Sequence, residues 1–330
     1  MEARQDWIDY AKGMGIIMVV YGHVLRGIHN AGFQLSDFFF NVSDTLIYGF
    51  HMPLFFFLSG FLFSKCFNKR GASPFLSDKV KALLYPYILW TLLQSGIELM
   101  FSGYTNNHLN LSDLLKSLYS PRAQFWFLHA LFMMYLGTAI IFAISGKYGA
   151  VFSFMLAGFL YIFPQTIDMA LFGPFIANYV YFAAGIICFE SGMGSRQLPG
   201  TRWATIAAGA AFGAIGMLAV QSHTSGVSFI GFLLALSGTL FILILATRMS
   251  NARGPAILKS LGQKTMPIYL AHIMAGSGAR IILDKFFQFH DVLLHIIVGT
   301  VAGIVLPLLA YHFAKTRGFT FVFEFPARVR

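Results

Sequence analysis

The stretch AKGMGIIMVVYGHVL, residues 11–25, is apolar except for a lysine near its start and a histidine near its end. Of the 330 residues in the chain, 57% are hydrophobic and only 11% are charged. Soluble domains carry about 25% charged residues, so this composition indicates a chain that folds in lipid. The mean hydropathy of +0.68 supports the same conclusion, because a positive value means an apolar chain. We therefore predict an all-α integral membrane protein. Ionisable side chains such as Lys12 and His23 are costly inside a membrane and are retained there mostly for function.

Apolar windows long enough to cross a bilayer recur along the whole chain. A transmembrane helix needs about 20 predominantly apolar residues. Ten windows come close to this length: 11–29, 46–66, 80–101, 124–144, 148–164, 173–190, 203–220, 226–247, 264–283 and 292–314. The sequence therefore predicts about ten transmembrane helices.

The basic residues predict the orientation of these helices. If the N-terminus lies inside, 17 of the 23 Lys and Arg residues lie on the inner side, five lie outside and Lys12 marks the inner edge of the first helix. The five outer residues are Arg26, Lys116, Arg122, Arg280 and Lys285. Cytoplasmic loops of membrane proteins are enriched in Lys and Arg, so we predict that both termini are cytoplasmic. The net charge of +10 follows from this topology and does not indicate nucleic-acid binding.

The loops leave little room for a second domain. The longest outer segments, 30–45 and 102–123, are shorter than a typical soluble domain. We therefore predict one membrane domain over residues 1–330. Cys66 and Cys188 fall at predicted cytoplasmic helix ends, and their separation indicates neither a disulfide framework nor a thiolate metal site.

Lys12 and His23 share one face of the first predicted helix. They are 11 residues apart, which at 100° per residue is three turns plus about 20°, or roughly 16 Å along the axis. Intramembrane ionisable side chains often mark a functional path. Two structural interpretations stay open, because His23 can hydrogen-bond to a neighbouring helix and Lys12 can extend toward the lipid headgroups.

Three more histidines, His51, His129 and His272, fall in apolar windows at similar depth. The sequence contains no HExxH motif or close histidine pair, and no carboxylate joins these histidines within a helix. We therefore predict no metal site. Each of these three histidines is expected to make a packing or substrate contact.

A second basic position lies at the predicted inner start of the third helix. Lys79 and Lys81 stand there, with Ser77 predicted as the N-cap. Free backbone N–H groups and two ammonium groups suit a phosphate. Basic residues at inner helix ends also follow from the topology alone, so this interpretation stays open.

Five stretches, taken in order, resemble the acyltransferase-3 family of multi-span membrane O-acyltransferases, especially its stand-alone, fucose 4-O-acetylase-like type. They are WIDYAKGMGIIMVVYGHV, FHMPLFFFLSGFLF, KVKALLYPYILW, FWFLHALF and LGQKTMPIYLAH. The family often has Arg-x-x-Arg at the entry to the third helix, where this chain has Lys79 and Lys81. Because lysine binds as a point charge, bidentate phosphate contacts are not expected here.

The resemblance implies transfer of an acyl group, usually acetyl, from cytoplasmic acyl-CoA to a hydroxyl of a polysaccharide or lipid-linked glycan on the outer side of a bacterial inner membrane. No permanently bound cofactor is implied. His23 would act as a general base or as a transient acyl carrier, and the residues do not choose between these roles. The CoA phosphates would contact Lys12, Lys79 and Lys81. The acceptor would meet Asp44, His51, Arg122, Trp126, His129, His272 and Arg280.

A transporter or flippase of a glycan or small solute is the alternative function. Many helices with internal polar groups fit transport as well. However, the sequence shows no repeated halves and few intramembrane acids for ion coupling. The acceptor sugar and the choice of acetyl over another acyl group, such as succinyl, stay open.

Overall fold

A computed structural model describes residues 6–100, 116, 120–164, 169–193, 198–222 and 227–326. Regular structure in these residues is helical, without a β-strand. The α-helices are α1 (Asp6–Asn30), α2 (Asp37–Phe61), α3 (Phe63–Arg70), α4 (Ala72–Lys79), α5 (Tyr85–Met100), α6 (Trp126–Ser145), α7 (Gly149–Ile162), α8 (Met169–Cys188), α9 (Arg202–Gln221), α10 (Phe229–Asn251), α11 (Ala256–Gln263), α12 (Thr265–Ile281) and α13 (Val292–Thr316). The all-α prediction is confirmed.

Each of the ten predicted windows overlaps a helix in the described residues. Within the part of the chain that the structure describes, seven segments are long and apolar enough to cross a membrane: Asp37–Arg70, Ala123–Ile162, Phe172–Gly192, Arg202–Gln221, Phe229–Asn251, Thr265–Phe286 and Val292–Thr316. The 40-residue segment Ala123–Ile162 contains the predicted window 124–144 and most of the window 148–164. Neither α1, which carries four charged side chains, nor the 16-residue α5 belongs to the seven.

The number of spans and the side of the termini stay predictions. Residues 1–5 and 327–330, and most of the predicted outer segment 102–123, lie outside the described residues. The described chain divides into two compact units. Unit 1 comprises Met1–Phe55 and Gln197–Arg317, and unit 2 comprises Phe56–Arg196 and Gly318–Arg330. The prediction of one membrane domain also stays a prediction.

In unit 1, α1 packs against α10, α11, α12 and α13. Its contact with α11 is backbone to backbone. A Cβ on Gly262 would lie 1.7 Å from the carbonyl oxygen of Asp9, and one on Gly13 would lie 2.1 Å from that of Leu258. Neither distance is compatible with a real side chain. Glycine at both positions therefore permits the close approach of these two helices.

Polar groups hold the beginning of α1 to the same neighbour. Lys259 forms an ion pair with Asp6 at 2.6 Å, and Gln263 donates a hydrogen bond to the buried carboxylate of Asp9 at 3.0 Å. The Tyr10 hydroxyl donates to the Gly254 carbonyl at 2.8 Å. These contacts fix the N-terminal half of α1, because a buried carboxylate needs such partners.

Unit 2 has an aromatic core around Phe63, which is fully buried. Its ring contacts the rings of Phe67, Phe75, Tyr135, Phe142 and Phe182. Close backbone approach recurs here, because a Cβ on Gly60 would lie 1.9 Å from the Phe182 carbonyl oxygen. The chain returns to this unit at its end, where Trp90 donates a hydrogen bond to the Val322 carbonyl at 2.7 Å.

One sequence expectation about unit 2 is wrong. Ser77 does not cap a helix, because it lies in the last turn of α4. The backbone N–H of Val80 bonds to the carbonyls of Leu76 and Ser77, and a π-helical turn, Val80–Leu84, then leads directly into α5. Lys79 and Lys81 therefore lie within a continuous helical segment and do not stand beside free N–H groups.

The backbone contact between α1 and α11 gives a stability test. Gly262→Ala should lower the free energy of unfolding by about 1–3 kcal/mol, because the added methyl group forces two backbones apart. Thermal unfolding of the purified protein in detergent measures this change. Gly213→Ala in α9 is the matched control, since nothing lies within 4 Å of its Cβ position. Equal melting temperatures for the two variants would contradict the close contact.

The predicted orientation can be tested with the two native thiols. Cys66 in α3 and Cys188 at the end of α8 are unpaired and partly exposed. A membrane-impermeant maleimide should label them in inverted vesicles and should leave them unlabelled in right-side-out vesicles. The Cys66→Ser/Cys188→Ser double variant reports background labelling. Labelling in right-side-out vesicles would contradict a cytoplasmic position of these helix ends.

Candidate functional site

Unit 1 brings together three of the histidines singled out in the sequence. His23 comes from α1, His51 from α2 and His272 from α12. The ring centroids of His23 and His272 are 5.0 Å apart. The ring centroid of Tyr48 is 5.9 Å from that of His23 and 4.8 Å from that of His51, so Tyr48 contacts both histidines. We call His23, Tyr48, His51 and His272 the imidazole cluster.

Small residues allow the helices to meet at this cluster. A Cβ on Gly22, next to His23, would lie 3.1 Å from a ring carbon of Tyr48. On the α13 side, a Cβ on Gly303 would lie 2.6 Å from Val20 and 3.5 Å from the backbone oxygen of His272. Glycine at these positions thus permits α1, α2, α12 and α13 to pack closely around the imidazole rings.

Hydrogen bonds to the backbone define the tautomers of two cluster histidines. Nδ1 of His51 lies 2.6 Å from the Ile47 carbonyl oxygen, and Nδ1 of His272 lies 2.7 Å from that of Tyr269. A carbonyl only accepts, so each Nδ1 must carry the proton. In the neutral imidazole, Nε2 then has the lone pair. Both side chains are buried, at 1% exposure, whereas His23 is partly exposed.

A charged pair borders the cluster. The Arg26 guanidinium donates two hydrogen bonds to Asp44, at 2.5 Å from Nε and 2.8 Å from Nη2. Its central carbon lies 3.1 Å from the centroid of the Tyr48 ring. The same guanidinium therefore ties α1 to α2 and stacks on the aromatic member of the cluster.

The other unit 1 candidates lie on the same helices. Lys12 is partly exposed on α1, three turns before His23. Arg280 lies on α12, two turns after His272, and is partly buried. The structure thus places five candidates, together with Asp44, in one unit: Lys12, His23, His51, His272 and Arg280.

The remaining candidates lie in unit 2 and have partners there. Arg122 forms an ion pair with Glu98, with 2.9 Å between nitrogen and oxygen. The ring centroids of Trp126 and Phe56 are 6.2 Å apart, and those of His129 and Tyr87 are 6.1 Å apart. The Lys79 ammonium lies 4.0 Å from the centroid of the Tyr135 ring, and that of Lys81 lies 5.8 Å from the Phe325 ring. Cation–π contact therefore restrains Lys79 most closely.

No group of three His, Cys, Asp or Glu side chains in the described residues has the arrangement of a metal site. Sequence reasoning missed Tyr48 as a cluster member and missed the pairing of Arg26 with Asp44. Opposite charges near the adjoining ends of consecutive helices were the available signal for that pair. Nothing in the sequence pattern identifies Tyr48, because tyrosines are common near membrane interfaces.

Comparison with known proteins now identifies the family. The family described as acyltransferase domain matches residues 5–312, which is nearly the whole chain and includes every residue of the imidazole cluster. The chain belongs to the acyltransferase-3 family. The recognition made from the five sequence stretches is thereby confirmed.

Two relatives are both named nodulation protein NolL. The protein from Sinorhizobium fredii is 33% identical over 149 residues, which are 43% of this chain and 38% of the relative. The protein from Mesorhizobium japonicum is 30% identical over 135 residues, which are 39% of this chain and 33% of the relative. The match therefore spans well under half the length of either relative. No solved structure matches the chain.

The charged pair beside the cluster gives a second stability test. Asp44→Asn should lower the free energy of unfolding by about 1 kcal/mol, because Arg26 loses a bidentate partner in a partly exposed position. Asp78→Asn is the matched control, since it breaks an Arg70–Asp78 pair whose side chains are 54% and 45% exposed. That control should stay within about 0.5 kcal/mol of wild type. Thermal unfolding in detergent compares the two, and equal losses would contradict a distinct role of the Arg26–Asp44 pair.

Proposed function

We propose that this protein is a membrane O-acyltransferase that moves an acetyl group from acetyl-CoA to a carbohydrate hydroxyl, with His23 at the reaction centre. The observation that carries this proposal is a partly exposed imidazole on α1 beside the buried ring of His272 and the ring of Tyr48, which in turn contacts buried His51, in a chain that belongs to the acyltransferase-3 family. A reacting imidazole must be reachable by substrate, and among the three cluster histidines His23 is the one with partial exposure.

Two chemical roles suit His23. As a general base, its neutral ring would take the proton of the acceptor hydroxyl while the oxygen attacks the thioester carbonyl. As a nucleophile, it would itself attack the thioester, release CoA and hold the acyl group until the hydroxyl attacks. Both routes break the C–S bond of the donor and form a C–O ester bond.

For the donor, we propose that Lys79 and Lys81 contact phosphate groups of CoA, and a contact with Lys12 stays a prediction from the family resemblance. The ammonium of Lys79 is restrained by aromatic rings, so it is ordered before any anion binds. A restrained cation loses less conformational freedom on binding than a free lysine side chain. CoA acts here as a substrate, and the proposal includes no permanently bound cofactor.

For the acceptor, we propose contacts with Asp44, His51, His272 and Arg280, and contacts with Arg122, Trp126 and His129 stay predictions from the family resemblance. These side chains offer hydrogen-bonding groups for hydroxyls and, in Trp126, an aromatic surface for a sugar ring. We further propose that the protein lies in a bacterial inner membrane with cytoplasmic termini. Its acceptor would be an exopolysaccharide, a lipopolysaccharide or a lipid-linked glycan.

The test of this function uses purified protein in lipid with labelled acetyl-CoA and a panel of methyl glycosides, beginning with methyl fucoside. Wild type should transfer acetyl to a glycoside. His23→Ala should lower the rate at least about 100-fold, because it removes the reacting imidazole. His29→Ala, an exposed position on the same helix whose ring stacks on Phe40 at 3.8 Å, is the matched control and should keep the wild-type rate.

The possible results separate the function from the residue. If folded wild type neither consumes acetyl-CoA nor acylates any glycoside, acyl transfer is wrong and glycan or solute uptake by the same vesicles becomes the assay to run. If wild type transfers acetyl and His23→Ala does so equally well, the enzyme is an acyltransferase but its centre is not His23.

A further inference from the structure

Within the described residues, only one of the two ring nitrogens of His272 has a hydrogen-bond partner. Its Nδ1 faces the backbone oxygens of Ile268 and Tyr269, at 3.2 Å and 2.7 Å, so this nitrogen carries a proton. Its Nε2 is buried and has no hydrogen-bond partner in the described residues. A buried acceptor without a partner costs stability, so a group that bonds to it during the reaction would remove that cost.

The neighbour of His272 is the proposed reaction centre. The two ring centroids are 5.0 Å apart with an angle of 56° between the ring planes. At that separation, a small rotation of either side chain brings a nitrogen of one ring within hydrogen-bond reach of the other. A hydroxyl oxygen that lies beside the two contacting rings can also approach a nitrogen of each.

A buried nitrogen without a partner does not by itself make a site, as a third buried histidine shows. His295 is also 1% exposed, bonds to the Phe289 carbonyl through Nε2 at 2.8 Å and has a buried Nδ1 without a partner. Its ring neighbour is Phe33, at 4.5 Å. What distinguishes His272 is the partly exposed imidazole beside it.

We propose that His272 is a second catalytic imidazole, which takes the proton of the acceptor hydroxyl at Nε2 while His23 carries the acyl group. This inference rests on the function proposed above and deepens it. The partly exposed ring suits contact with the thioester, and the buried ring with a fixed tautomer suits proton acceptance. If His272 is the base, His23 is left with the acyl-carrier role, which is one of the two roles proposed for it above.

The chemistry balances over two steps. In the first, a nitrogen of His23 attacks the thioester carbon, the C–S bond breaks and the proton on the other His23 nitrogen goes to the CoA thiolate. In the second, the acceptor oxygen attacks the acyl carbon, the C–N bond breaks and the hydroxyl proton moves to Nε2 of His272. That proton then passes to His23, which returns both rings to their neutral forms.

The decisive variant is His272→Asn. The asparagine amide retains a donor for the backbone carbonyls of Ile268 and Tyr269 but removes Nε2. Transfer to the glycoside that wild type acylates, with methyl fucoside tried first, should fall about 100-fold or more, as expected for the loss of a general base. Hydroxylamine is a strong nucleophile that needs no base to attack an acyl imidazole, so acyl transfer to hydroxylamine should keep most of its rate.

The matched control is His295→Gln, whose amide retains the donor that contacts the Phe289 carbonyl. It should keep both rates. For His272→Asn, unchanged transfer to the glycoside would overturn the proposal, and so would parallel loss of glycoside and hydroxylamine transfer, since that pattern indicates a structural role. Absence of both activities in wild type would instead reject the proposed function.

Discussion

The first helix of this protein touches its neighbours backbone to backbone, and the positions of its histidine and lysine depend on that contact. Gly13 and Gly262 let α1 and α11 approach until a carbonyl oxygen occupies the place of a Cβ. Val20 and Val24 in turn fill the space above Gly303 and Gly299 of α13. In lipid, where apolar side chains gain little from meeting each other, such close packing is a main source of helix association.

The packing of α1 explains why ionisable groups are tolerated along it. Asp9 is buried but accepts a hydrogen bond from Gln263, and Asp6 pairs with Lys259. Further along, Arg26 pairs with Asp44 of α2. These partners come from neighbouring elements held close to α1, so Asp6 and Arg26 meet an opposite charge and the carboxylate of Asp9 is hydrogen-bonded.

The imidazole cluster follows from the same geometry. Three helices deliver one histidine each, and two of these rings are oriented by carbonyls of their own helix. Such bonds fix the tautomer and leave Nε2 as the acceptor, which is the preorganisation that acid–base chemistry requires. His23 is partly exposed, whereas His51 and His272 are buried, so the three rings differ in accessibility.

The fold class, the ten helical windows and the family could be predicted from the amino-acid sequence, because hydrophobic period and motif order are local properties of the chain. The shared face of Lys12 and His23 was also predictable, since helix geometry fixes that relation.

The neighbours of the site residues could not be predicted. The packed helices place His272 beside His23, Tyr48 against His51 and Arg26 against Asp44. The π-turn at Val80–Leu84, which replaced the expected cap at Ser77, was likewise invisible in the pattern. Contacts between distant helices depend on packing at particular glycines, and a single sequence does not specify which helix faces which.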